Sequence, residues 1–267
     1  MRRGRRRGVY LLPSLLTIGN LLCGVYAIVA VYNDDYTRSA AAILVALILD
    51  GLDGAVARLT NSQSDFGVQL DSLADLVSFG VAPAILSYAW AVKPFSQIGW
   101  LFGSIIPTAL FVASGAFRLA RFNVQTRTLD KRYFVGLPIP AAAAVIASFV
   151  LFMRESPSLV LFQRELFSSR LWSALVVVMV YGLSFLMVSR LRYRSLKGIE
   201  IKQRQPFTLL IGLTLVVLVI AAEPSMVVFS FFSLYALSGI LRTIPLVRRR
   251  IPVPEAMEQM TGSEGRT

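Results

Sequence analysis

The sequence predicts an all-α, polytopic integral membrane protein with about eight transmembrane helices and both termini in the cytoplasm. Three observations predict it. Of 267 residues, 55% are hydrophobic and only 16% are charged, against about 25% charged in soluble domains. The mean hydropathy is +0.65, and a soluble chain this apolar would expose aggregating patches. The apolar residues also fall into runs close to the ~20 residues a helix needs to cross the hydrocarbon.

Eight runs follow in order: 9–32, 39–58, 67–92, 98–120, 137–153, 171–189, 206–222 and 225–246. They break at polar or turn-forming clusters, among them Asn33-Asp34-Asp35, Lys93-Pro94 and Glu223-Pro224. The fifth and seventh runs are short, so their ends are loosely set. The basic N-terminus resembles the charged region of a signal peptide, but no small-residue cleavage site follows, and the first run is read as a retained span. Only Arg38, Lys93, Arg154, Arg164 and Arg170 of the 27 basic residues fall outside when the N-terminus is placed inside. The positive-inside rule therefore orients the chain. It also absorbs most of the net charge of +12, so nucleic acid is not an expected partner. Membrane lipids are, since basic loops attract anionic headgroups. Residues 1–250 read as one membrane domain and 251–267, with Pro252, Pro254 and Gly262, as a flexible cytoplasmic tail.

Composition excludes several chemistries. There is no histidine, which removes His-based nucleophilic catalysis and H-E-x-x-H zinc sites. One cysteine, Cys23, makes no intrachain disulfide and no thiolate cluster. No G-x-x-x-x-G-K-[ST] stretch marks a P-loop.

What remains is acidic. Asp50 and Asp53 lie near the end of the second run, and Asp71 and Asp75 near the start of the third. The short connection Leu59–Phe66 makes these helix ends antiparallel neighbours, so four carboxylates meet at one depth. Asp50, Asp53, Gly54 and Ala57 share one helical face, as do Gly67, Asp71, Asp75 and Ser78. Small residues beside acids leave a cavity, and Gly54 and Gly67 permit close approach. Clustered carboxylates repel. Arg58 offsets one, and divalent cations bound by oxygen ligands offset the rest; two such ions fit phosphate chemistry. Solvated helix-end charges and a cation-coupled transporter with buried acids are the competing readings.

Residues 50–75 read D-x-x-D-G-x-x-A-R-x8-G-x3-D-x3-D in full. This pattern resembles the signature of the CDP-alcohol phosphatidyltransferases. The stretches 12–24, 73–83, 114–123 and 134–140 resemble the branch that uses serine, the CDP-diacylglycerol–serine O-phosphatidyltransferases. The resemblance covers about the first 140 residues and sets a catalytic core at about 9–140. It implies transfer of the phosphatidyl group of CDP-diacylglycerol to the hydroxyl of L-serine, releasing CMP. It also implies a site of two Mg2+ or Mn2+ ions at the cytoplasmic face of a cell inner membrane, and a homodimer. A sibling transferase acting on glycerol phosphate or inositol phosphate carries the same motif.

By the motif, Asp50, Asp53, Asp71 and Asp75 are expected to ligate metal, with Asp75 also the general base. Gly54, Ala57, Arg58 and Gly67 are expected around the CDP-lipid. Thr17 and Asn20, three residues apart, either touch the nucleotide or bond helix to helix. Arg118 and Arg121 share a face and suit a carboxylate or phosphate, with Asn123 assisting, unless they serve only as topology charges. The stretch Gly136-Leu137-Pro138-Ile139-Pro140 is expected to stay non-helical until after Pro140. Phe149, Met153 and Met179 are expected to pack or face lipid.

Overall fold

The computed structural model describes residues 11–60, 64–93, 105–125, 133–155, 169–194 and 224–241. Among the described residues there are seven helices: α1 (Leu11–Tyr32), α2 (Tyr36–Leu59), α3 (Asp65–Val92), α4 (Ile106–Gln125), α5 (Ile139–Glu155), α6 (Ser169–Val188) and α7 (Pro224–Leu241). Three are long and apolar enough to cross a membrane: α1 over Pro13–Tyr32, α2 and α3, at 20, 24 and 28 residues. Apolar stretches of α5, α6 and α7 are shorter. The expected seventh span, 206–222, lies outside the described residues, as do the basic N-terminal segment, the start of the fourth run and the tail.

Large apolar side chains stand exposed along the outside. On α1 they are Leu15, Ile18, Leu22, Val25 and Val29, and on α2 Val45, Ile48 and Leu52. Their helical spacing makes a continuous greasy stripe, which water would penalise and lipid accepts. This is an integral membrane protein.

Helix α5 is the axis of the bundle. From Ala141 to Leu151 every residue is buried, and α2, α7, α3 and α6 pack around it. Its run of four alanines explains this position. Lipid tails are as apolar as side chains, so helices in membranes associate through close contact of small residues. At 17 residues it is about 25 Å long, and enclosure by protein relaxes the length a lipid-exposed span needs. Phe149 and Met153 are buried in this packing and Met179 partly so.

Two features depart from expectation. Helix α5 starts at Ile139, one residue before Pro140. Proline is tolerated in a first turn because the N–H it lacks has no partner there. The all-helical expectation also missed a small antiparallel sheet. Strand β1 (Tyr133–Val135) pairs with β2 (Arg192–Arg194), Phe134 opposite Tyr193. Gly136 follows β1 at φ +83°, and a Cβ there would sit 2.3 Å from the Met187 carbonyl oxygen, so only glycine turns the chain from the sheet into α5. Tyr193 is fully buried, and its hydroxyl donates to the Ala236 carbonyl at 3.1 Å. Burial, with Tyr235 beside it, pushes its phenol up to about 12.

Helix α3 is not uniform. It is α-helical over Asp65–Asp75, widens to π geometry over Leu76–Val81, returns to α over Ala82–Ser87, and widens again over Tyr88–Val92. The first wide stretch ends just before Pro83, which has no N–H to give the preceding turn. It places Ser78 against α1. The Ser78 hydroxyl donates to the Asn20 carbonyl at 2.9 Å, and a Cβ on Gly24 would lie 2.4 Å from Ser78 Oγ.

Candidate active site

The acids meet because α2 ends and α3 begins at the same place. Ser64 caps α3, its hydroxyl accepting from the Gly67 N–H at 3.0 Å, which starts the helix two turns before Asp71. One carboxylate oxygen from each of Asp50, Asp53 and Asp71 lies within 4.8 Å of the others. Asp53 is buried; Asp50 and Asp71 are half-buried. Asp71 Oδ1 is itself buried with no hydrogen-bond partner.

Helix α1 supplies the polar contacts. The Thr17 hydroxyl lies 2.8 Å from Asp53 Oδ2, nearer than the Pro13 carbonyl at 3.1 Å. Asn20 Nδ2 donates to Asp75 Oδ1 at 3.3 Å. Both α1 residues are buried. Both thus bond helix to helix, and the bonds are made to the acids themselves. Asn20 Oδ1 remains buried without a partner.

Three of the four expected metal ligands are thus brought together. Asp75 lies one turn further along α3, buried, and held by Asn20. Around Asp53 stand the Gly54 backbone and the Arg58 charge. A Cβ on Gly54 would meet only the Arg58 guanidinium, at 3.3 Å, so the space beside the acids is open; Arg58 is exposed and Ala57 half-buried. A Cβ on Gly67 would meet only Ser64 Oγ, and the Gly67 N–H serves the cap.

On α4, Arg118 lies over the Phe122 ring at 5.7 Å, with Asp75, Tyr235 and Asp50 in electrostatic reach. Arg121 is half-buried. Asn123 Nδ2 donates to Ser72 Oγ at 2.9 Å, which ties α4 to the acidic stretch of α3.

The trio fits a hard cation. Oxygens on one Mg2+ or Ca2+ ion lie about 2.0–2.6 Å from it, hence at most about 4–5 Å apart. Without a cation, two carboxylates about 5 Å apart repel by about 3 kcal/mol at an effective dielectric of 20. Arg58 alone does not offset three such charges. The orphaned Asp71 oxygen points to the same conclusion: a buried carboxylate oxygen is costly until something positive meets it.

Known proteins carry the same pattern. Residues 10–181 match the family model described as CDP-alcohol phosphatidyltransferase. A CDP-diacylglycerol–serine O-phosphatidyltransferase of Helicobacter pylori is 38% identical over 239 residues, covering 90% of this chain and 93% of the relative. A protein of the same name from Bacillus subtilis is 33% identical over 186 residues, 70% of this chain and 91% of the relative. An archaetidylserine synthase of Methanothermobacter thermautotrophicus is 38% identical over 189 residues, 70% of this chain and 71% of the relative.

Proposed function

The chain belongs to the CDP-alcohol phosphatidyltransferase family, and from that premise we propose that it transfers the phosphatidyl group of CDP-diacylglycerol to L-serine, giving phosphatidylserine and CMP. The observation that carries the chemistry is the convergence of Asp50, Asp53 and Asp71 from two helices. The serine acceptor is supported by the names of the relatives, which match well beyond the motif. Family membership favours this transfer over cation-coupled transport.

In this reading Asp50, Asp53 and Asp71 hold the cation, and Asp75 adjoins them, as a two-cation site requires. Bound there, Mg2+ or Mn2+ would neutralise the diphosphate and stabilise the departing CMP phosphate. Thr17 and Asn20 orient Asp53 and Asp75 and thereby set the geometry of the donor site. Gly54, Ala57 and Gly67 leave room for the nucleotide, and Arg58 meets phosphate. The serine hydroxyl attacks the phosphorus that bears the lipid; the bond to the CMP oxygen breaks, and Asp75 takes the hydroxyl proton. Arg118, Arg121 and Asn123 line the acceptor side.

The site opens to the cytoplasm in this account, because basic residues cluster at that end, and eight spans with a cytoplasmic tail complete the chain. The family resemblance adds a homodimer, to be checked by the mass of the detergent-solubilised protein. The test of function is CMP release by purified protein from CDP-diacylglycerol with Mg2+ or Mn2+, across acceptors. Release that depends on L-serine is expected. Release only with glycerol phosphate or inositol phosphate would keep the family and overturn the acceptor.

A further inference from the structure

Asn20 carries an oxygen that the fold leaves unanswered. The residue is fully buried. Its Nδ2 donates to Asp75 Oδ1 at 3.3 Å, and its backbone carbonyl accepts from the Ser78 hydroxyl at 2.9 Å. Ser78 is fully buried too, and it reaches Asn20 because Gly24, one turn on, carries no side chain. Backbone and amide are both tied to α3, yet Asn20 Oδ1 is buried with no hydrogen-bond partner. An amide oxygen shut away from water without a donor is costly. Moorings that fix the amide and leave its acceptor unpaired hold that oxygen ready for a donor from outside the chain.

Position and charge define the donor. Asn20 lies one turn beyond Thr17 on α1, as Asp75 lies one turn beyond Asp71 on α3. Thr17 meets Asp53 of the trio, whereas Asn20 meets Asp75. The oxygen therefore stands where the acceptor hydroxyl loses its proton, one turn from the cation. An amide that gives its N–H to a carboxylate is polarised, and its carbonyl becomes the stronger acceptor. With Asp75 bonded to it and the acidic trio a turn away, a cationic donor is favoured over a neutral one. An amino-acid acceptor brings such a donor. Serine carries its ammonium and its hydroxyl on adjacent carbons, so the two fit Asn20 and Asp75 side by side. Arg118 and Arg121 repel an ammonium, so it needs a place apart from them.

We propose that Asn20 Oδ1 accepts from the ammonium of the acceptor amino acid, and so selects an amino alcohol over acceptors that lack the amine. The proposal rests on the serine reading above. Ser78 and Gly24 act through Asn20, by fixing the backbone from which the amide projects. Glycerol phosphate and inositol phosphate bring no ammonium and would leave the oxygen unpaired.

The experiment measures KM for L-serine and for CDP-diacylglycerol in wild type, Asn20→Leu and Asn20→Asp. It adds the inhibition constant of 3-hydroxypropionate, which is serine without its amino group. KM does not depend on the fraction of protein that folds, so partial misfolding leaves the comparison intact. Asn20→Leu removes the acceptor, and the serine KM should rise about tenfold or more, as for loss of a hydrogen bond to a charged group. The donor KM and the 3-hydroxypropionate constant should stay within about twofold. Asn20→Asp keeps an oxygen for the ammonium but takes the N–H from Asp75, so kcat should fall about tenfold with the serine KM within about twofold of wild type. A residue that only packed α1 on α3 would not separate the two constants in this way. An unchanged serine KM in Asn20→Leu would overturn the proposal. So would a rise in the donor KM, which would give the oxygen to the cytosine amine, or an equal rise in the 3-hydroxypropionate constant. Should Asn20→Leu not fold, Asn20→Asp decides, and a serine KM raised about tenfold there would overturn the proposal. Wild type that releases CMP with no dependence on serine would overturn the serine reading itself, and the proposal with it.

Discussion

Helix α3 and helix α5 are both apolar enough to sit in a membrane, yet they are built to opposite ends. The first turns of α3 carry Asp65, Asp71 and Asp75, with Phe66, Val68 and Leu73 exposed between them and Asp71 Oδ1 buried and unpartnered. Helix α5 carries no acid before its last residue, Glu155, and is buried on every side from Ala141 to Leu151. The first forgoes packing to keep charge and space together. The second spends its whole surface on packing. The difference teaches where stability and activity reside: substitutions on α5 and the turn before it should change melting, and those at the α1–α3 contact should change turnover.

Asp53→Asn should break the comparison most sharply. It removes a charge from the trio and should lower CMP release by about a thousandfold or more, since a lost cation contact is worth several kcal/mol and each 1.36 kcal/mol is tenfold. Melting in the absence of metal should hold steady or rise, because repulsion among the acids is relieved. A fall in both activity and melting would mean that the acids support the fold.

Gly24→Val tests the joint between the regions. Its side chain would meet Ser78 within 2.4 Å, driving α1 from α3 and drawing Asn20 off Asp75. Overpacking of this kind costs about 1–3 kcal/mol, so melting should fall and turnover should fall further than the folded fraction explains. Thr17→Val keeps the shape and deletes the 2.8 Å contact to Asp53, together with the longer one to the Pro13 carbonyl within α1. Hydrogen bonds to charged groups are worth about 1.5–3 kcal/mol, so a loss of roughly tenfold in kcat/KM for the donor is expected with little change in melting. Gly136→Ala should do the reverse. Its φ of +83° and the Met187 carbonyl leave no room for a Cβ, and the strain costs about 1–3 kcal/mol. Melting should drop while the donor KM stays at the wild-type value.

Much of this was legible in the sequence, and the reasons are physical. The D-x-x-D and D-x3-D spacings lie on consecutive turns of two helices joined by a short connection, so the convergence of Asp50, Asp53 and Asp71 follows from helical geometry. Thr17 and Asn20 were legible as a polar pair in a greasy helix, but their partners were not, because a single sequence does not say which neighbour a helix face meets. The same limit hid the enclosure of α5: apolar periodicity is alike for a helix facing lipid and one facing protein. The β1–β2 pair was illegible because three-residue strands leave no periodic trace. The contact of Tyr193 with Tyr235 and Ala236 was illegible because the partners lie more than forty residues apart in the chain.

The central claim is that the carboxylates joined across α2 and α3 hold the cation that supports transfer to serine. Its most direct test is CMP release from CDP-diacylglycerol and L-serine by purified, chelator-stripped protein as Mg2+ or Mn2+ is restored. The account predicts no release before metal is added, saturable recovery afterwards, and dependence on serine throughout. Serine-dependent release undiminished by chelation, or cation-restored release indifferent to serine, would contradict it.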